Sequence, residues 1–286
     1  MSEGKQTLTS KIAYMAGALL VFGLLLFTTF PNRQDELERT CYPVVVMGDS
    51  IMGQSRGETS VSEQLEGILG VPVYNGAFGG TYLSMQKDAE DNYTTDLMNM
   101  VGLSKAIAAD DFGVQQTARS RREITDYYAA VTDEFECVDF GQVEVLVLAF
   151  GINDYHAGIP VDNSANPMDE YTYGGALRSV VKTLRESYPD MRIVLATPTY
   201  AWYRSNGLTC EEYLPGEDLL EAYVEKVLDI GKELDVEVID LYHDVYPHEN
   251  WEDWKLYTED GLHPNEAGRT LLANILAEKL QDSDDK

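Results

Sequence analysis

Basic residues are scarce. The chain carries 21 Lys and Arg against 49 Asp and Glu, a formal net charge of −28. A surface of that sign repels nucleic acid and anionic lipid headgroups, so neither is expected as a partner. Cysteine is also rare, with 3 in all, and none of them has the spacing of a metal site. Cys41 and Cys137 each precede a predicted strand, which leaves two readings open: a bridge between them, or three separate thiols. No internal repeat and no long low-complexity segment interrupts an ordinary globular composition with room for one large domain.

Long hydrophobic runs are absent but for one. Residues 12–30 contain no charge, which is enough to cross a bilayer core. Lys5 and Lys11 precede the run, so the positive-inside rule puts residues 1–11 in the cytoplasm and everything after Phe30 outside. A signal peptide competes with this reading, but the run ends Phe27-Thr28-Thr29-Phe30-Pro31 without the small residues of a cleavage site. The expectation is therefore an uncleaved transmembrane anchor at 12–30 and a stalk at 31–41. A globular domain follows over 42–281, and 282–286 form an acidic tail.

What the domain does have is a recurring pattern of short apolar runs that stop at polar turns. Val44-Val45-Val46-Met47 reads as a buried strand, and it ends in Gly48 and then Asp49-Ser50, residues that open helices. Further strands are expected at 71–74, 143–150, 192–196 and 236–240. Helical spacing falls at 60–69, 172–188, 217–234 and 264–280, the last with Pro264 at its first position. Residues 84–140 carry two further helical patterns, 94–109 and 117–135, and read as a helical insertion over or beside the sheet. Within it Arg119, Arg121 and Arg122 read as a solvated helix face. Strands alternating with helices predict an α/β/α sandwich around a five-stranded parallel sheet.

The strand ends carry the chemistry. Ser50 follows the first strand, and Asn75-Gly76-Ala77-Phe78-Gly79-Gly80 follows the second. Gly151-Ile152-Asn153-Asp154 follows the third, and Asp260-Gly261-Leu262-His263-Pro264 precedes the last helix. Open α/β sheets gather such points on one edge. Acyl transfer needs what these points supply: a nucleophile, a base, a carboxylate to orient the base, and donors for an oxyanion. Asp260 and His263 lie three apart in a glycine-containing loop, so the carboxylate can reach the imidazole within one turn.

With these four blocks in this order, the chain resembles an SGNH hydrolase of the GDSL esterase/lipase superfamily over about 43–280. The resemblance implies a flavodoxin-like three-layer fold, with Ser50 as nucleophile, His263 as base and Asp260 as its partner. It further implies an oxyanion hole of Ser50 N–H, Gly80 N–H and the Asn153 amide, with Gly79 as the alternative to Gly80. No cofactor and no metal is implied. The same residues would serve an esterase or an acyltransferase to a cell-surface glycan, and an inactive scaffold that only binds is the third reading.

The expected partner is an acylated small molecule or glycan, with an O-acetylated carbohydrate favoured. The reason is an aromatic wall expected from Tyr82, Tyr155, Tyr200 and Trp202 beside the motifs, helped by Trp251 and Trp254 in the loop before Asp260. His156 is placed to line the cleft. His243 and His248, with Asp244 between them, fit ordinary loop histidines better than a zinc site.

Overall fold

The computed structural model describes residues 39–86, 98–119 and 126–282. The expected anchor at 12–30 lies outside the described residues, and among those described no helix is long and apolar enough to cross a membrane.

Five strands form one parallel sheet: β1 (Val44–Gly48), β2 (Val73–Asn75), β3 (Val145–Ala149), β4 (Arg192–Ala196) and, after a small hairpin, β7 (Glu237–Ile239). The hairpin pairs β5 (Trp202–Tyr203) with β6 (Leu208–Thr209) in antiparallel fashion. Sheet order is β2-β1-β3-β4-β7, so the chain reverses direction between β1 and β3. In a doubly wound sheet that reversal opens a crevice at the carboxyl ends of the two strands. Register sets Gly48 opposite Ala149, which places the residues after β1 beside those after β3.

The strands are apolar almost throughout because helices cover both faces. Helices Val61–Leu69 and Glu266–Asp282 pack together as one layer. Met100–Ala109, Tyr173–Ser187 and Leu220–Leu234 pack in that order as the other. The insertion holds helices Met100–Ala109, Gly113–Arg119 and Asp126–Phe135, the last two falling on the described parts of its second expected helix. Its anchor is Phe135, fully buried, with ring centroids 5.8 Å from both Tyr74 and Phe112. Arg121 and Arg122 lie outside the described residues.

One expectation is corrected here, and one open alternative is decided. The last helix does not begin at Pro264: Asn265 Oδ1 accepts the Gly268 N–H at 3.0 Å and so caps it, while Pro264 pairs back with Thr258. Cys41, Cys137 and Cys210 are three free thiols. Cys41 and Cys137 do flank a backbone bridge between Thr40 and Val138 at the amino edge of the sheet, yet Cys137 Sγ turns to the Asp133 carbonyl at 3.9 Å.

Candidate active site

The first arm of the site is the turn after β1. A Cβ on Gly48 would lie 2.8 Å from the Ala149 carbonyl, so glycine lets the end of β1 rest against β3. Asp49 then caps the single helical turn Ser50–Gly53, its Oδ1 accepting the Ile51 N–H at 2.9 Å. Ser50 is the first residue of that turn, where backbone N–H groups have no partner within the helix. Its N–H finds no acceptor among the described residues.

Asp49 itself is buried, and desolvation pushes its carboxyl up to about 7, helped by the nearby Asp154 and opposed by the Ile51 N–H. A carboxyl raised in this way binds its proton more tightly folded than unfolded. It therefore favours the fold at low pH, and that contribution fades as pH rises from 3.8 through about 7. Asp49→Asn keeps the oxygen that Ile51 needs and removes the titration. Its Tm should fall less than the wild type's between pH 4 and 8, as scanning calorimetry would record; identical slopes would place the titration elsewhere.

The second arm is the loop 260–263. Gly261 adopts a φ of 99°, and a Cβ there would meet the Trp202 carbonyl at 2.2 Å. Its own carbonyl accepts the Trp202 N–H at 2.8 Å, so the loop is laid directly on β5. Asp260 Oδ1 accepts the N–H groups of Leu262 and His263 at 3.0 and 2.8 Å. Asp260 Oδ2 meets His263 Nδ1 at 2.8 Å, and His263 Nε2 lies 3.1 Å from Ser50 Oγ. Partial burial raises the Asp260 pKa, but the His263 ring and the backbone N–H groups outweigh it and hold the carboxyl below its usual range. The result is an unbroken chain from carboxylate through imidazole to hydroxyl, closed between residues 213 positions apart.

The third arm supplies donors. Of the two adjacent glycines, Gly80 has the left-handed φ, 73°; it is exposed and its N–H finds no acceptor among the described residues. Thr81 pins this loop by donating its hydroxyl to the carbonyls of Phe78 and Gly48, at 2.8 and 3.1 Å. In return the Thr81 carbonyl accepts one N–H of the Asn153 amide at 2.8 Å, and the other N–H has no partner among the described residues. Asn153 sits in the first turn of helix Ile152–His156, reached through Gly151 at φ 135°. Ser50 N–H, Gly80 N–H and the second Asn153 N–H are thus three donors at the crevice without a partner among the described residues.

Two residues that the sequence reading left without a role hold this arm together. Asp154 is fully buried and accepts Leu83 N–H, Ser84 N–H and Ser84 Oγ–H at 2.9, 3.0 and 2.5 Å. Burial raises its pKa despite those bonds. Thr81 is the other. Only the position of Asp154 next to Asn153 hinted at its role, and nothing local marked Thr81.

The expected aromatic wall does not exist as such. Tyr155, Tyr200 and Trp202 are 0, 1 and 1 % exposed and present no face to a ligand. They pack the fold: the Tyr155 hydroxyl donates to the Tyr213 carbonyl, and Tyr200 lies between Trp202 at 4.8 Å and His248 at 4.0 Å. Aromatic area goes to the core when core is available, and the β5–β6 hairpin makes it available. Of the four, Tyr82 alone is half-buried, and Trp254 is covered by the Arg204 guanidinium at 4.2 Å. His243 pairs with Asp240 at 2.8 Å rather than with His248, and no cluster of metal-ligating side chains occurs among the described residues.

A cleft of about 220 Å³ opens beside Ser50, lined by Ile51, Gln54, Ser55, Glu259, Pro264 and Arg269. Arg269 is fixed there by the carbonyls of Thr59 and Pro264, each at 2.7 Å, and faces Glu259 at 3.6 Å.

Solved structures share this architecture at low identity, so they speak to the fold alone. A protein from Lactobacillus plantarum aligns over 85% of this chain and 99% of its own, at 16% identity and a TM-score of 0.57. A possible lipase from Chitinophaga pinensis aligns over 84% and 98%, at 19% identity and a TM-score of 0.50. A salicylyl-acyltransferase from a tetracycline biosynthetic pathway aligns over 86% of this chain but 56% of its own, at 15% identity and a TM-score of 0.51. No curated protein matches by sequence. The family profile spans β1 to the start of the last helix, residues 46–271, and so takes in all three arms of the site: the chain belongs to the GDSL-like lipase/acylhydrolase family.

Proposed function

We propose that the protein is a serine esterase that removes short acyl groups, acetyl foremost, from a hydroxylated, carbohydrate-like alcohol. The observation that carries it is the Ser50–His263–Asp260 chain, at 3.1 and 2.8 Å. Ser50 Oγ attacks the ester carbonyl carbon while its proton passes to His263 Nε2. Asp260 holds the ring with its proton on Nδ1 and balances the imidazolium that forms. The carbonyl oxygen becomes an oxyanion held by the Ser50 and Gly80 N–H groups and the free N–H of Asn153. Collapse of the adduct breaks the C–O bond, and the departing alcohol takes the proton from Nε2. Water then repeats the sequence on acyl-Ser50 and releases the acid. A second hydroxyl in place of water would make the same acyl-enzyme a transferase, the activity borne by one of the similar folds.

The size and lining of the cleft support the substrate class. At about 220 Å³, with Gln54, Ser55, Glu259 and Arg269 along it, it favours a short acyl group and polar surroundings over a long aliphatic chain. The comparison that tests the proposal is acetate release from acetylated oligosaccharides against hydrolysis of long-chain acyl esters by the purified full chain, with and without glycan acceptors. Acetyl esters should be turned over at least tenfold faster. A preference for long chains would overturn the substrate class, and an inert protein would overturn the enzyme.

A further inference from the structure

His156 has no part in the steps above, yet it stands at the same crevice. It ends helix Ile152–His156, three residues after Asn153, so the two side chains share one face of that helix. On the far side the ring is tied to the hairpin: His156 Nε2 and Tyr203 Oη are 2.8 Å apart. Tyr203 follows Trp202, whose N–H is bonded to the loop that carries Asp260 and His263. His156 therefore bridges the arm that holds Asn153 and the arm that holds His263. It also lies near enough to His263 for the two positive charges to oppose each other.

The contact between Nε2 and Oη ties the ring's proton to the tyrosine: when Tyr203 accepts from Nε2–H, the proton of a neutral imidazole sits on Nε2 and Nδ1 is a bare acceptor. Nδ1 has no protein partner among the described residues. Burial, with the charge of His263, lowers the His156 pKa to about 4, so the ring stays neutral where an esterase works.

We propose that His156 is a substrate-positioning residue whose free Nδ1 accepts a hydrogen bond from a hydroxyl group beside the scissile ester. The inference rests on the esterase reading and narrows it: the preferred alcohol is a polyol or sugar with a free hydroxyl next to the acylated oxygen. Simple alkyl and aryl esters have no donor to offer. A methyl ether at the neighbouring position removes the donor and adds bulk, and a deoxy analogue removes the donor alone.

The test compares kcat/KM for a monoacetylated sugar with its neighbouring-deoxy analogue, in the wild type, His156→Phe and His156→Gln, with phenyl acetate as a third substrate. The wild type should favour the hydroxylated ester by about tenfold, the worth of one neutral hydrogen bond. His156→Phe keeps the ring and loses the acceptor; its ratio should fall to about one, through KM. His156→Gln restores an acceptor oxygen and should recover part of the ratio. A merely structural role would slow both sugar esters equally and leave the ratio intact. A wild-type ratio of one, or a ratio that survives in both variants, would overturn the inference while leaving the esterase reading standing. Inactivity of the wild type on all three esters would overturn both.

Discussion

Ser50→Ala and His263→Ala should each slow ester hydrolysis by about 10⁴-fold or more, and the double variant should be no slower than either single one. The reason lies in the geometry rather than in the count of residues. His263 Nε2 is 3.1 Å from Ser50 Oγ and has no other task, so removing the hydroxyl leaves the imidazole nothing to deprotonate. Removing the imidazole leaves a hydroxyl whose pKa is far too high to attack at neutral pH. What survives both changes is binding and the three N–H donors, which do not depend on either side chain. Fold should be unaffected in both cases, because Ser50 Oγ and the His263 ring bond to no core group, and near-UV circular dichroism would verify this. Initial rates with an acetyl ester give the measurement. Near-normal turnover by His263→Ala would show that another base serves Ser50, and a further tenfold drop in the double variant would show that the two act separately.

Much of this arrangement is legible in the amino-acid sequence, and the reason is local. Each block sits where a β-branched apolar run stops at a turn, and such a stop identifies the end of a strand without reference to the rest of the chain. Parallel strands then carry the ends to one edge, so Ser50, Gly80 and Asn153 could be grouped from order alone. The last helix starts two residues later than expected, at Glu266, because Pro264 suits a first helical position while the Asn265 side chain makes the cap. The hairpin β5–β6 was not legible: its strands are two residues each and show no periodicity. That omission had a consequence. With no hairpin in view, Tyr200 and Trp202 looked like loop residues facing the cleft, when the hairpin and Tyr246 in fact enclose them. The same omission hid the Tyr203–His156 contact, since nothing in the sequence brings position 203 to position 156.

Asn153→Ala should lower kcat by about 10²–10³ with little change in KM. One of the two amide hydrogens is committed to the Thr81 carbonyl at 2.8 Å, and that bond aims the other into the crevice. Such a donor is worth most when full negative charge develops on the carbonyl oxygen, so its loss appears in the transition state and not in substrate binding. The alanine variant also leaves the Thr81 carbonyl without its partner. That loop is held independently, however, by the Thr81 hydroxyl on Gly48 and Phe78 and, further along, by Asp154 on residues 83 and 84. The donor effect and the loop effect can therefore be separated. Thr81→Val, which loses the hydroxyl but keeps the carbonyl that Asn153 uses, should be milder in kcat than Asn153→Ala. Single-turnover acylation rates of both variants, with KM measured alongside, distinguish the cases. If Asn153→Ala raised KM and spared kcat, Asn153 would position the substrate, and the oxyanion would rest on the backbone N–H groups of Ser50 and Gly80 alone.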